Sequence, residues 1–107
     1  MNADALRGHM DALLLSVLER EPLHGYAIIE ALRERSGGAL DVPTGTVYPA
    51  LRRLERAGLL AGEWASDGGR KRRTYRLTDA GRTALAGERS AWRSFTTAIG
   101  RVLDPLR

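Results

Sequence analysis

Towards the end of the chain, Leu85, Glu88, Trp92, Phe95, Ile99, Val102 and Leu106 follow one another at alternating steps of three and four residues. A 3.5-residue repeat of this kind is a stripe along one side of a helix, shaped to be covered by another helix. Thr78 or Asp79 can cap that helix and Pro105 stands just past Asp104, so it is expected to run from about 79 to about 104. A chain of 107 residues holds one compact core and not two. The seam therefore asks for a partner outside the chain's own core, and a second copy of the chain supplies one. Glu88 is its polar interruption, and Gly87 and Gly100 weaken the helix that carries it.

Upstream, glycine and proline divide the sequence into short elements. Leu6, Met10, Leu13, Leu14, Val17 and Leu18 recur at helical spacing between Ala5 and Glu19, which predicts one amphipathic helix stopped by Pro22. A second helix is expected over Gly25 to Arg35, with Ile28, Ile29 and Leu32 inside, and Ser36-Gly37-Gly38 ends it. A third lies within Pro43 to Ala57, with Val47, Leu51 and Leu54 as its inner stripe and Gly58 as its C-cap. Pro49 leaves two starts open: Thr46 as N-cap puts the proline in the first turn, whereas a start at Thr44 sacrifices one hydrogen bond. Leu59 to Ser66 and Arg73 to Thr78 hold Trp64, Tyr75 and Leu77 and are separated by Asp67-Gly68-Gly69 and a basic run, which reads as a β-hairpin with its charge at the tip. The expected fold is mainly α with a small β-hairpin. A winged helix-turn-helix would occupy residues 1–78, and a long C-terminal dimerisation helix residues 79–107.

Sixteen Arg and one Lys outweigh thirteen acidic residues, for a net charge of +4 and a sequence pI of about 10.3. Arg-rich composition by itself also follows from a GC-rich genome, so the placement of the charge matters more than its sum. Arg70-Lys71-Arg72-Arg73 and Arg76 put five cations within seven residues with no acid among them. Like charges repel on a solvated loop, whereas a polyanionic backbone rewards such density through counterion release. In the third helix, Thr44, Thr46 and Tyr48 stand at the start, and Arg52, Arg53 and Arg56 follow on the outer face. Hydroxyls and amides at a helix N-terminus suit phosphate oxygens, and an Arg fork suits phosphate or the O6 and N7 edge of guanine. A solvated face with Glu55 as local partner is the plainer account of those arginines, and the wing tips the balance towards double-stranded DNA.

The segment from Gly45 to Leu60, GTVYPALRRLERAGLL, preceded by His24-Gly25-Tyr26 and followed by Gly68-Gly69 and by Tyr75 to Gly81, YRLTDAG, closely resembles the PadR family of transcriptional regulators. The likeness covers about Leu13 to Gly81 and keeps the spacing of all three blocks. It implies a homodimeric repressor on a palindromic operator. It points to Thr44, Thr46, Tyr48 and Arg52 in the recognition helix, and to Lys71, Arg72 and Arg73 in the wing, as DNA contacts; the charge pattern adds Arg53 and Arg70 to that set. The short C-terminal part resembles the subfamily with a single dimerisation helix, whose interface here would take in Leu6, Met10, Leu85, Trp92, Phe95, Ile99 and Val102. Some short members stack planar, apolar drugs against an interface Trp, so Trp92 and Phe95 are candidates for binding a small aromatic effector. Plain interface packing is the simpler account of both.

The remaining residues exclude more than they suggest. With no Cys, disulfides, thiolate catalysis and cysteine metal sites are ruled out, and His9 and His24 are too far apart in sequence to suggest a metal site. Nothing resembles a Ser-His-Asp arrangement or a phosphate-cradling loop, so neither an enzyme nor a cofactor is expected. His24 reads as a helix cap or packing residue, Tyr26 as packing between helices, and Trp64 as a plug from the sheet into the core. No apolar stretch is long enough for a bilayer and the start lacks a signal-peptide layout, which implies a cytoplasmic protein with no membrane partner. The rival function is a winged helix used only for protein-protein contact, for which a basic third-helix face is unsuited.

Overall fold

The structure, a computed structural model, describes residues 3–6 and 8–104. Its elements are α1 (Ala3–Leu6), α2 (Met10–Val17), β1 (Leu23–His24), α3 (Gly25–Arg35), α4 (Thr44–Arg56), β2 (Leu60–Asp67), β3 (Arg70–Leu77) and α5 (Asp79–Leu103). This is the expected winged helix with a long C-terminal helix, and it departs from the sequence reading in four places.

The first expected helix is broken. Between α1 and α2, Gly8 takes φ of +83°, a left-handed conformation that a continuous right-handed helix does not contain. Apolar spacing continues across the break, so periodicity alone could not register it. The second departure concerns α4, which begins at Thr44 with Pro43 as N-cap. Pro49 thus lies beyond the first turn, and the Gly45 carbonyl loses the amide that would have reached it. Thirdly, the sheet has three strands in the order β1-β3-β2, because Leu23 and His24 pair with Tyr75 and Thr74. Two residues are too few to leave a strand pattern in sequence.

The fourth difference matters most for function. Gly68 and Gly69, at φ of +57° and +83°, form a tight two-residue turn, and Asp67 pairs with Arg70 directly across it. The basic run is therefore strand and not tip. Alternation along β3 puts Lys71 and Arg73 on the face shared with Tyr75 and Leu77, and Arg70 and Arg72 on the opposite face.

Leu14, Leu15, Val17 and Leu18 from the first helical region, Ile28, Ile29 and Leu32 from α3, and Val47, Leu51 and Leu54 from α4 build one core, closed by Leu60, Tyr75 and Leu77 of the hairpin. The first part of α5 belongs to this core: Thr78 caps it by accepting from the Gly81 amide at 3.0 Å, and Leu85 is only 2% exposed. Leu85 therefore has almost no surface to offer a second chain, which removes it from the expected interface. Arg89 then fastens α5 to α2, donating to both Glu19 carboxylate oxygens at 2.9 Å and to Ser16 Oγ at 3.2 Å. Beyond that point α5 runs free of the core. The radius of gyration of 15.4 Å exceeds the roughly 13 Å of a compact chain this long because of that projection.

Candidate nucleic-acid interface

A cleft opens between α4 and the hairpin, with the first turn of α3 at its rim. Among the described side chains, its walls carry six cations, Arg52 and Arg56 from α4 and Arg70, Lys71, Arg72 and Arg73 from β3, together with the carboxylate of Glu55. Two elements 14 residues apart thus present one positive surface, which a polyanion would neutralise with release of its counterions. Thr44 and Thr46 are exposed at the head of α4, beyond which Tyr48 and Arg52 follow. Val47, Ala50, Leu51 and Leu54 anchor the opposite side of the same helix in the core, so its outer face is held rigidly outward.

The arginines named from sequence divide into two groups. Arg52, Arg70 and Lys71 are exposed. Arg53, also exposed, donates two hydrogen bonds to Asp11, at 3.0 and 2.6 Å, tying α4 to α2. Arg73 is half-buried and makes a two-pronged contact with Glu55, one prong from Nε to Oε1 at 3.2 Å and the other from Nη2 to Oε2. Arg72 places Nη1 2.9 Å from His24 Nε2. His24 is the N-cap of α3, as expected, with Nδ1 accepting from the Ala27 amide at 3.3 Å. Glu55 is therefore the partner of the wing and not of its helical neighbours.

Two aromatic residues lie elsewhere than expected. Trp64 is 64% exposed, because the core ends under the Leu60–Leu77 and Gly62–Tyr75 pairs and the next same-face pair, Trp64 with Arg73, lies beyond it. The Arg73 guanidinium covers the indole instead, 5.4 Å from the ring centroid. Tyr26 is 59% exposed at the cleft rim, and the ring that packs against α3 is that of Tyr48, which occupies the space above Gly25. Burial, with the Glu55 carboxylate adding to it, pushes the Tyr75 phenol above its ordinary value and keeps it neutral. Sequence reasoning passed over Gly25, Gly62 and Glu55 as site residues. The signal was present in HGY and in RLER, but only the tertiary neighbours give it meaning.

On the projecting part of α5, Trp92, Phe95, Ile99, Val102 and Leu103 are all exposed. Trp92 stacks on Phe95 with centroids 6.0 Å apart, and His9 meets the other side of the indole edge-on at 5.2 Å. Leu6 and Met10 are partly buried against the core. Leu106 lies outside the described residues. Among the described residues there is no group of acids and histidines that could hold a metal ion, and no helix long and apolar enough to cross a membrane.

Residues 14–87 match the family model described as Transcriptional regulator PadR-like family. A PadR family transcriptional regulator from Eggerthella lenta superposes with a TM-score of 0.83 at 37% identity, over 94% of this chain and 87% of that one. A transcriptional regulator from Clostridium thermocellum gives 0.86 at 25% identity, over 92% and 97%. In sequence, Transcriptional regulator Rv3488 of Mycobacterium tuberculosis is 49% identical over 59 residues, about 55% of either chain. Members of this family are regulators and not enzymes, and the cation-lined cleft lies between the two elements with which a winged helix binds DNA. The chain belongs to the PadR-like family of transcriptional regulators.

Proposed function

We propose that this DNA-binding regulator is a repressor that acts as a homodimer on a palindromic operator. In this reading α4 enters the major groove with Thr44, Thr46, Tyr48 and Arg52 towards base edges and phosphates, while Arg70, Lys71 and Arg72 of the wing follow the adjacent backbone. The observation that carries it is the convergence of six cations from α4 and β3 on one cleft. Dimerisation through the apolar face of α5 would set two recognition helices about one helical turn, roughly 34 Å, apart. A planar aromatic ligand between the paired Trp92 and Phe95 side chains would favour one separation of the heads over another and so release DNA. Repression is then simple occupancy.

The test is binding to a labelled duplex from the chain's own upstream region, titrated against salt. Steep loss of affinity with salt is expected, and Lys71→Ala should lower the slope of log K against log salt by about one. A wild-type protein that binds neither this fragment nor random duplex at low salt would remove the DNA reading.

A further inference from the structure

We propose that Glu55 is a positioning residue for DNA recognition, holding the wing at a fixed angle to the recognition helix through Arg73 and across Gly62. The inference rests on the reading that α4 and the hairpin grip one duplex. An acid among six cations on a DNA-facing surface would by itself repel phosphate. Both of its oxygens are already engaged, however. They receive Nε and Nη2 of Arg73, in the forked geometry that fixes direction as well as distance.

The rest of the local structure is arranged around that pair. The Arg73 guanidinium lies 5.4 Å from the Trp64 ring centroid and 6.0 Å from that of Tyr75, so indole and phenol add to the carboxylate in positioning it. A Cβ at position 62 would stand 2.7 Å from Arg73 Nε and 2.8 Å from Glu55 Oε1. Glycine there is the gap through which the helix reaches the far strand. Glu55 is on α4 and Arg73 on β3, so the pair bridges the base-reading element and the backbone-following one. Arg73 accordingly leaves the set of phosphate contacts, and the wing keeps Arg70, Lys71 and Arg72 for that role. Fixing the angle before DNA arrives removes an ordering cost from binding, and a displaced wing would no longer reach its phosphates while α4 reads its bases.

The sign of one substitution separates this from plain electrostatics. Glu55→Gln keeps the side chain's size and removes a negative charge from a cation-lined cleft, which on charge alone tightens binding to any duplex. The clamp predicts the reverse for a duplex that the wild-type protein has selected from a random library: about tenfold weaker binding, the scale of one charge-assisted hydrogen bond. Binding to an unselected duplex of equal length should hold or rise. Arg73→Lys should behave like Glu55→Gln, because an ammonium keeps the charge and loses the fork. Circular dichroism and the thermal midpoint establish that each variant is folded, and if Glu55→Gln is not, Arg73→Lys carries the test. The inference is overturned if the folded variants bind the selected duplex as tightly as wild type, or lose equally on both duplexes. A wild-type protein that selects and binds no duplex fails the underlying reading instead, so the two failures are told apart.

Discussion

Gly25 shows how much a single missing side chain can decide. A Cβ there would overlap the Tyr48 ring, so the glycine seats a tyrosine of the recognition helix against the start of α3. Gly25→Ala should destabilise the fold by about 1–3 kcal/mol, the usual cost of overfilling a packed site, read as a lower denaturation midpoint in urea. It should also weaken DNA binding by displacing Tyr48 from the seat that positions it on α4. An unchanged midpoint would mean that the ring has room to move. Gly62 works by the same logic with an ion pair in place of a ring. Both glycines lie in parts of the sequence that carry the family likeness or adjoin it, yet nothing in a one-dimensional pattern says what fills the space they leave. His24 was the opposite case, since a residue just before a helix has few roles and capping is the commonest open to it.

At the scale of elements, ion pairs add to core packing in joining the helices. Arg53 with Asp11 joins α4 to α2, and Arg89 joins α5 to Ser16 of α2 and to Glu19 just beyond it, so α4 and α5 are fastened to the same stretch of chain. The hydrogen bond from Arg89, opposed in part by desolvation, holds the Glu19 carboxyl below its ordinary value of 4.5. A folded-state pKa depressed in this way contributes stability that is fully present above the unfolded value and is lost as pH falls through the folded one. Wild type should therefore be more stable than Glu19→Gln at neutral pH, by a small margin because the pair is exposed. The gap should close on acidification below the ordinary carboxylate range. A gap that persists at pH 2, beneath that range, would show that the variant acts through something other than charge. The hairpin was legible as an element from Gly68-Gly69 and the flanking aromatics. Its length was not, because a run of arginines and lysine reads as loop until the register with β2 is known.

For the whole molecule, the projecting half of α5 is the feature that an isolated chain does not explain. Trp92, Phe95, Ile99, Val102 and Leu103 expose an apolar face on a helix already fastened at its other end. If this face is the dimer joint, Ile99→Asp should leave the monomer's fold intact and weaken self-association by at least about tenfold, measured by sedimentation velocity over a concentration series. DNA affinity should fall with it. Equal sedimentation of variant and wild type would place the joint elsewhere. Trp92 also serves as a reporter, although Trp64 shares its fluorescence, so a Trp64→Phe background isolates it. Planar aromatic compounds should quench or shift that signal if the paired indoles form a ligand slot, and a flat response across a panel would sink the effector part of the proposal.

Sequence by itself determined the order of the main helices and the hairpin, most of the core and the winged-helix class, because apolar periodicity, caps and tight turns are local properties of a chain. The 3.5-residue seam and the density of cations in the wing were equally plain, although not their place on its second strand. Tertiary structure alone decided which cations remain available to a polyanion. Arg53 and Arg73 are chemically the same as Arg52 and Arg70, and it is folding that brings Asp11 and Glu55 within their reach. It also decided that Leu85 belongs to the chain's own core while Trp92, two helical turns on, does not. One periodic stripe runs through both residues, and its division depends on where the rest of the domain ends.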